Sequence, residues 1–163
     1  MDAEREILTW ETFGDASWQL AERIAADGCP DAVLSIARGG LVVGGALGYA
    51  LGVKPAYLLN VELYTGVDQR LPEPEVLPPV PDLGELADAD VLVADDVADT
   101  GLTLACVQQL CAGQVGRLRT AVVYEKPRSV VRPEYSWRST ERWVTFPWSA
   151  RDPVTAAGTV RPA

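Results

Sequence analysis

The chain has 163 residues, 48% of them apolar, and a formal net charge of −9. That length holds one domain with a sizeable core and leaves no room for a second large one, and an acidic chain without a Lys/Arg run is a poor partner for nucleic acid. No stretch approaches the roughly twenty apolar residues of a membrane span, and Met1-Asp-Ala-Glu lacks the basic, apolar start of a signal peptide, so a cytoplasmic protein with no membrane contact is expected.

Along the chain, Asp15 can cap a helix whose apolar stripe runs through Leu20, Ala21, Ile24 and Ala25 and stops at Gly28. A strand follows over 32–37, a helix over 40–51 closed by Gly52, and a strand over 56–63. Residues 64–88 break the pattern with five prolines and scattered acids, which predicts a mobile loop, a lid or disorder. A strand over 91–95, a helix over 102–112 and a strand over 119–124 resume the alternation, 142–146 reads as a last strand, and 150–163 as a poorly ordered tail. Strands alternating with helices predict an α/β domain with a mostly parallel central sheet and helices on both faces.

The absence of histidine excludes Ser-His-Asp and Cys-His hydrolysis, so any proton transfer must run through carboxylates, lysine or tyrosine. Cys29, Cys106 and Cys111 are odd in number and show no C-x-x-C. They are read as buried small hydrophobes rather than a disulfide framework or a zinc site.

The most informative stretch is VLVADDVADTGLTLA at 91–105. Its apolar run suits a parallel strand buried on both faces, which puts function at the strand's carboxyl end. Thr100, Gly101 and Thr103 fall where the backbone leaves the strand and opens a helix, so free amide N–H groups and two hydroxyls converge where an anion fits. Asp95 and Asp96 would repel that anion. They suit the cis-diol of a ribose or a magnesium ion. The plainer alternative is an acidic turn in which Asp99 or Thr100 merely caps the helix. A second glycine-rich turn, Ser35-Ile-Ala-Arg38-Gly39-Gly40, also links a strand to a helix. It is not G-x-G-x-x-G, and the strand topology opens it at the same sheet edge as the first.

A buried strand, two acids and, three residues later, Asp-Thr-Gly resemble the 5-phosphoribosyl-1-pyrophosphate (PRPP) motif of the type I phosphoribosyltransferases. The resemblance, which with TWETF near the start reaches to about Ser149, implies that family's fold over 1–149 with a small base-recognition hood. It assigns Asp95 and Asp96 to the ribose hydroxyls and, indirectly, to magnesium. Thr100, Gly101, Leu102 and Thr103 fall to the 5′-phosphate, with Leu102 contributing its backbone N–H. Arg38, Gly39 and Gly40 fall to the pyrophosphate, as does Arg70 from the loop begun by Tyr64-Thr65-Gly66. Tyr124-Glu125-Lys126-Pro127 and the W-x-x-x-P-W of 143–148 resemble the 6-oxopurine enzymes. There the lysine donates to the 6-oxo group, the aromatic ring stacks on the base and nearby carbonyls read position 2, roles that fall on Lys126, Trp143 and Val144. Asp99 is the expected catalytic base.

The resemblance therefore implies transfer of the phosphoribosyl group from PRPP to hypoxanthine, guanine or xanthine, with Mg2+ as cofactor, in a homo-oligomer, dimer or tetramer. A phosphoribosyltransferase for another base and a non-catalytic PRPP-sensing regulator of the same fold are the alternatives. Lys126 with the Trp143 segment argues against a pyrimidine enzyme.

Overall fold

The computed structural model describes residues 5–66 and 69–155. In chain order these form strand β1 (Glu6–Ile7), helix α1 (Trp10–Ala26), β2 (Ala32–Ala37), α2 (Gly39–Leu51), β3 (Ala56–Gly66) and β4 (Gln69–Leu77). After a 3₁₀ turn at Leu83–Leu86 come β5 (Asp90–Ala98), α3 (Leu102–Cys111), β6 (Arg117–Glu125), β7 (Tyr135–Ser139) and β8 (Val144–Thr145), with a second 3₁₀ turn at Pro147–Ser149.

Six strands make the central sheet in the order β4-β3-β2-β5-β6-β7. All neighbours are parallel except the β3–β4 pair. Side chains alternate between its two faces, as the pleat requires. Val33, Leu92, Ala94, Ala121 and Val123 pack with Leu20 and Ile24 of α1 and Val43 and Leu47 of α2. Leu34, Ile36, Val91, Val93 and Val122 pack on the other face with Leu104 and Val107 of α3 and with Leu83 and Leu86. Both faces are thus covered by helices, which explains the continuous apolar runs of β2, β5 and β6.

The chain leaves β2 in one direction, to β3, and crosses back to β5 on the other side. The reversal opens a crevice beyond the carboxyl ends of β2 and β5, the point at which ligands bind in open parallel sheets. Over it lies a separate two-stranded sheet in which β1 pairs in parallel with β8, Glu6 beside Val144 and Ile7 beside Thr145.

Several expectations are corrected. Helix α1 starts at Trp10, not near Asp15, because Thr9 caps it by accepting from the Thr12 amide at 3.1 Å. The segment 64–88 is not irregular throughout: β4 extends β3 as an edge strand. Its prolines are tolerated there because an edge has one side without ladder bonds, and because 71–74 oppose the single residue Leu63 in a bulge between the pairs Glu62–Glu75 and Tyr64–Arg70. Residues 142–146 yield only the two-residue β8, and β7 at the opposite sheet edge lies in a stretch not read as a strand. Of the cysteines only Cys111 is buried; Cys29 is exposed and Cys106 half-buried. The Arg70 side chain, residues 67–68 and the tail beyond 155 lie outside the described residues.

Candidate active site

Two strand-to-helix turns meet in the crevice. The first follows β2: the Ala37–Arg38 peptide is cis, and α2 begins at Gly39 with no side-chain cap on its amides. Glycine is required twice here for closeness rather than for φ. A Cβ on Gly39 would lie on the carboxylate of Asp96, and one on Gly40 would meet the Ala94 carbonyl and stand 3.2 Å from the Asp95 Cα. The Arg38 turn and the acidic pair are therefore packed directly against each other.

The second turn follows β5. Gly101 takes φ +82°, which L side chains disfavour, and opens α3 without a side-chain cap. The Leu102 amide reaches Thr100 Oγ1 only at 3.4 Å, and Asp99 is engaged elsewhere, so the plain capping alternative does not hold. What remains is a second helix N-terminus whose first-turn amides face the crevice, a geometry that favours anions.

Asp95 and Asp96 sit between these turns. Asp95 Oδ1 accepts from the Asp96 amide and Asp96 Oδ1 from the Val97 amide, each at 2.8 Å. Burial pushes the Asp95 carboxyl well above the usual carboxylate range, and the neighbouring Asp96 charge pushes the same way. Burial also raises Asp96, against hydrogen bonds that include one from the Trp148 side chain. Among the described residues neither acid has an ion pair, and both carry raised proton affinity.

A cavity of about 300 Å³ joins these parts, with Arg38, Gly39, Asp95, Asp96, Asp99 and Thr103 in its wall and Trp143 at its rim. Trp143 is 66% exposed, an aromatic face turned to solvent where most tryptophans would be covered. Thr100 and Gly101 also line it. Gly40 is buried beneath, Leu102 is the first residue of α3, and Lys126 stands beside the cavity rather than in its wall. Lys126 is 8% exposed and donates to the Arg142 carbonyl. Burial pulls its ammonium below the ordinary lysine range; the Asp99 carboxylate works the other way, and the Arg128 guanidinium pushes it down further. The Val144 side chain belongs to the core. Since the Trp143 and Thr145 carbonyls accept from the Glu6 and Leu8 amides of the β1 segment, alternation turns the Val144 carbonyl to the opposite edge.

The sequence does not single out two residues found here. Trp148 falls within the W-x-x-x-P-W segment but carries no assigned role; it reaches Asp96 while stacked on Phe146 at 4.9 Å. Arg128 donates to Asp99, and no spacing in the sequence signals that contact.

The phosphoribosyl transferase domain model matches residues 4–154, nearly the whole chain. The chain belongs to this family. This phosphoribosyl transferase is 30% identical over 148 residues to the xanthine-guanine phosphoribosyltransferase of Cereibacter sphaeroides, covering 86% of this chain and 84% of the other. It is similar in structure to the purine phosphoribosyltransferase of Pyrococcus horikoshii OT3, with a TM-score of 0.79 and 33% identity over 96% of this chain and 99% of that one. A Neisseria gonorrhoeae protein solved with ppGpp bound is similar at a TM-score of 0.77 and 27% identity, with 93% of each chain covered.

Proposed function

We propose that this phosphoribosyl transferase moves the 5-phosphoribosyl group of PRPP to a 6-oxopurine, giving a nucleoside 5′-monophosphate and pyrophosphate. The observation that carries the reading is the single cavity into which two uncapped helix N-termini, a buried acid pair and an exposed tryptophan converge. PRPP has two anionic ends joined by a diol, and the cavity has two anion-favouring turns flanking carboxylates. The names of the relatives, purine and xanthine-guanine phosphoribosyltransferases, agree with it.

In this reading the amides of 100–103 and the Thr100 and Thr103 hydroxyls hold the 5′-phosphate. Arg38, with the Gly39 and Gly40 amides, holds the pyrophosphate. Asp95 and Asp96 accept from the ribose hydroxyls. The bond from C1 of the ribose to the pyrophosphate oxygen breaks, the bond from C1 to purine N9 forms, and the proton on N7 passes to Asp99. Lys126, beside the cavity and already donating to the Arg142 carbonyl, turns another of its ammonium N–H groups to the 6-oxo oxygen as negative charge spreads onto it. Trp143 covers the base, and the Val144 carbonyl faces position 2.

Magnesium fits this set in a limited way. No group of three or more His, Cys, Asp or Glu among the described residues could cage a metal. Two carboxylates beside substrate oxygens are a usual Mg2+ environment, and Asp95 and Asp96 are the residues that would hold it, indirectly. When bound it supplies charge neutralisation on the departing pyrophosphate.

A homo-oligomer is supported by a second groove of about 530 Å³ between α2 and β3, an apolar face bearing Leu41, Tyr49 and Leu58, with Tyr49 94% exposed. No helix among the described residues is long and apolar enough to cross a membrane.

Pyrophosphate release with PRPP, magnesium and each of adenine, guanine, xanthine and hypoxanthine tests the reading. The 6-oxopurines are expected to be turned over and adenine rejected, because Lys126 can only donate and would leave buried donors facing each other. Adenine as the best base overturns the purine assignment. No release with any base, together with no rise in Tm on adding PRPP and magnesium, overturns the PRPP assignment.

A further inference from the structure

The turn after β6 carries a second cation besides Lys126. Its backbone is fastened to the phosphate turn at both ends: the Lys126 amide donates to the Ala98 carbonyl at 2.9 Å and the Val130 amide to the Thr100 carbonyl at 2.8 Å. Between them the Ser129 amide closes onto the Lys126 carbonyl at 3.0 Å. From this clamped turn the Arg128 guanidinium reaches across to Asp99. Nε donates to Oδ1 at 2.9 Å, and Nη2 donates to the same oxygen.

The side chain of Arg128 is 67% exposed and that of Asp99 29%. An ion pair so open to water adds little to stability, so folding alone gives little reason for it. Its geometry has more to say. Both donors end on Oδ1, so Arg128 holds that oxygen and does not engage Oδ2, and Asp99 lines the cavity.

We infer that Arg128 is a positioning residue, holding Asp99 by Oδ1 so that Oδ2 is aimed at the N7 proton of the incoming purine. The inference rests on the reading of Asp99 as the proton acceptor. The rival physical account is a latch: the guanidinium would occupy a carboxylate that the purine needs, and would have to leave before turnover.

Steady-state kinetics on the full chain separate the two. For a positioning role, Arg128→Met lowers kcat by about tenfold to a hundredfold, the scale expected when a reacting group drifts by about an ångström. The KM for PRPP stays within about twofold, because the phosphate and diol contacts are untouched. Arg128→Lys recovers part of the loss, since an ammonium can make one of the two bonds. In an Asp99→Asn background, Arg128→Met costs less than about twofold more, because residues acting as a unit are not additive. An unchanged Tm confirms that the exposed substitution leaves the fold intact. A wild-type kcat in Arg128→Met, a lowered purine KM with raised turnover, or full additivity with Asp99→Asn overturns the inference. If Asp99→Asn loses turnover while Arg128→Met does not, only the role of Arg128 falls. If Asp99→Asn itself keeps wild-type turnover, the proton-acceptor reading falls and takes this inference with it.

Discussion

Replacing Gly101 by alanine should damage the protein through two separate causes, which the structure allows to be weighed. The backbone at Gly101 sits at φ +82°, and placing an L side chain there costs about 1–2 kcal/mol. The added Cβ would also stand 2.7 Å from the Val131 amide nitrogen and 2.9 Å from that of Val130. Those are backbone atoms and cannot swing away, so the 129–131 segment must retreat. The bond from the Val130 amide to the Thr100 carbonyl is then lost, at about 1 kcal/mol. Together the terms come to about 2–3 kcal/mol, a fall in Tm of roughly 5–10 °C for a domain of this size. Gly113 is the internal control. It has φ +70°, but a Cβ added there would meet nothing within 4 Å, so Gly113→Ala should show the conformational part alone. Thermal unfolding followed by circular dichroism, on both variants side by side, gives the difference. Equal shifts in the two would refute the packing argument, and a Tm for Gly101→Ala within about 2 °C of wild type would refute both terms.

Gly39→Ala and Gly40→Ala should fail in different ways: the first presses on a carboxylate that can rotate, so the fold survives while PRPP affinity, read by calorimetry, drops at least about tenfold. The second presses on the backbone of β5 and should lower Tm instead; the reverse pattern would refute the distinction. Asp95→Asn should raise the Tm of the ligand-free protein at neutral pH and weaken PRPP binding, because it removes a buried charge while keeping an oxygen for the Asp96 amide. Its pH dependence has a definite sign. A carboxyl raised on folding binds its proton more tightly in the native state, so unfolding free energy falls as pH rises from the ordinary carboxylate range through the raised value. Denaturant titrations across that range should show a shallower fall for Asp95→Asn than for wild type, and parallel curves would refute the assignment.

How far the sequence could be read depended on whether a residue's neighbours are near it in the chain. Strands β2, β5 and β6 announce themselves through short apolar runs, 91–94 in β5 and 121–123 in β6, where both faces are buried. The acid pair and Thr-Gly-x-Thr are legible for the same local reason: one turn holds them all. Helix α1 was harder to place, since Thr9 and Asp15 are both plausible caps and the exposed Trp10 blurs the first turn. Strand β4 was hidden by prolines that only an edge position can accept. Strand β7 pairs on one side only, with β6, and its residues Tyr-Ser-Trp-Arg-Ser carry no continuous apolar run. Arg128 could not be found at all. Its partner is 29 positions away, and the contact exists only because two turns are clamped together.

The pairing of β1 with β8 gives the molecule an unequal construction. The Arg38 and Thr100 turns of the crevice are made from elements of the central sheet, while Trp143 and Val144 are held by a strand of two residues borrowed from the other end of the sequence. Substitutions around Glu6 and Ile7 can therefore tilt the wall that carries Trp143 without disturbing the two strand-to-helix turns. On the proposed roles, the preference for a base can be retuned there while the two turns assigned to PRPP keep their geometry.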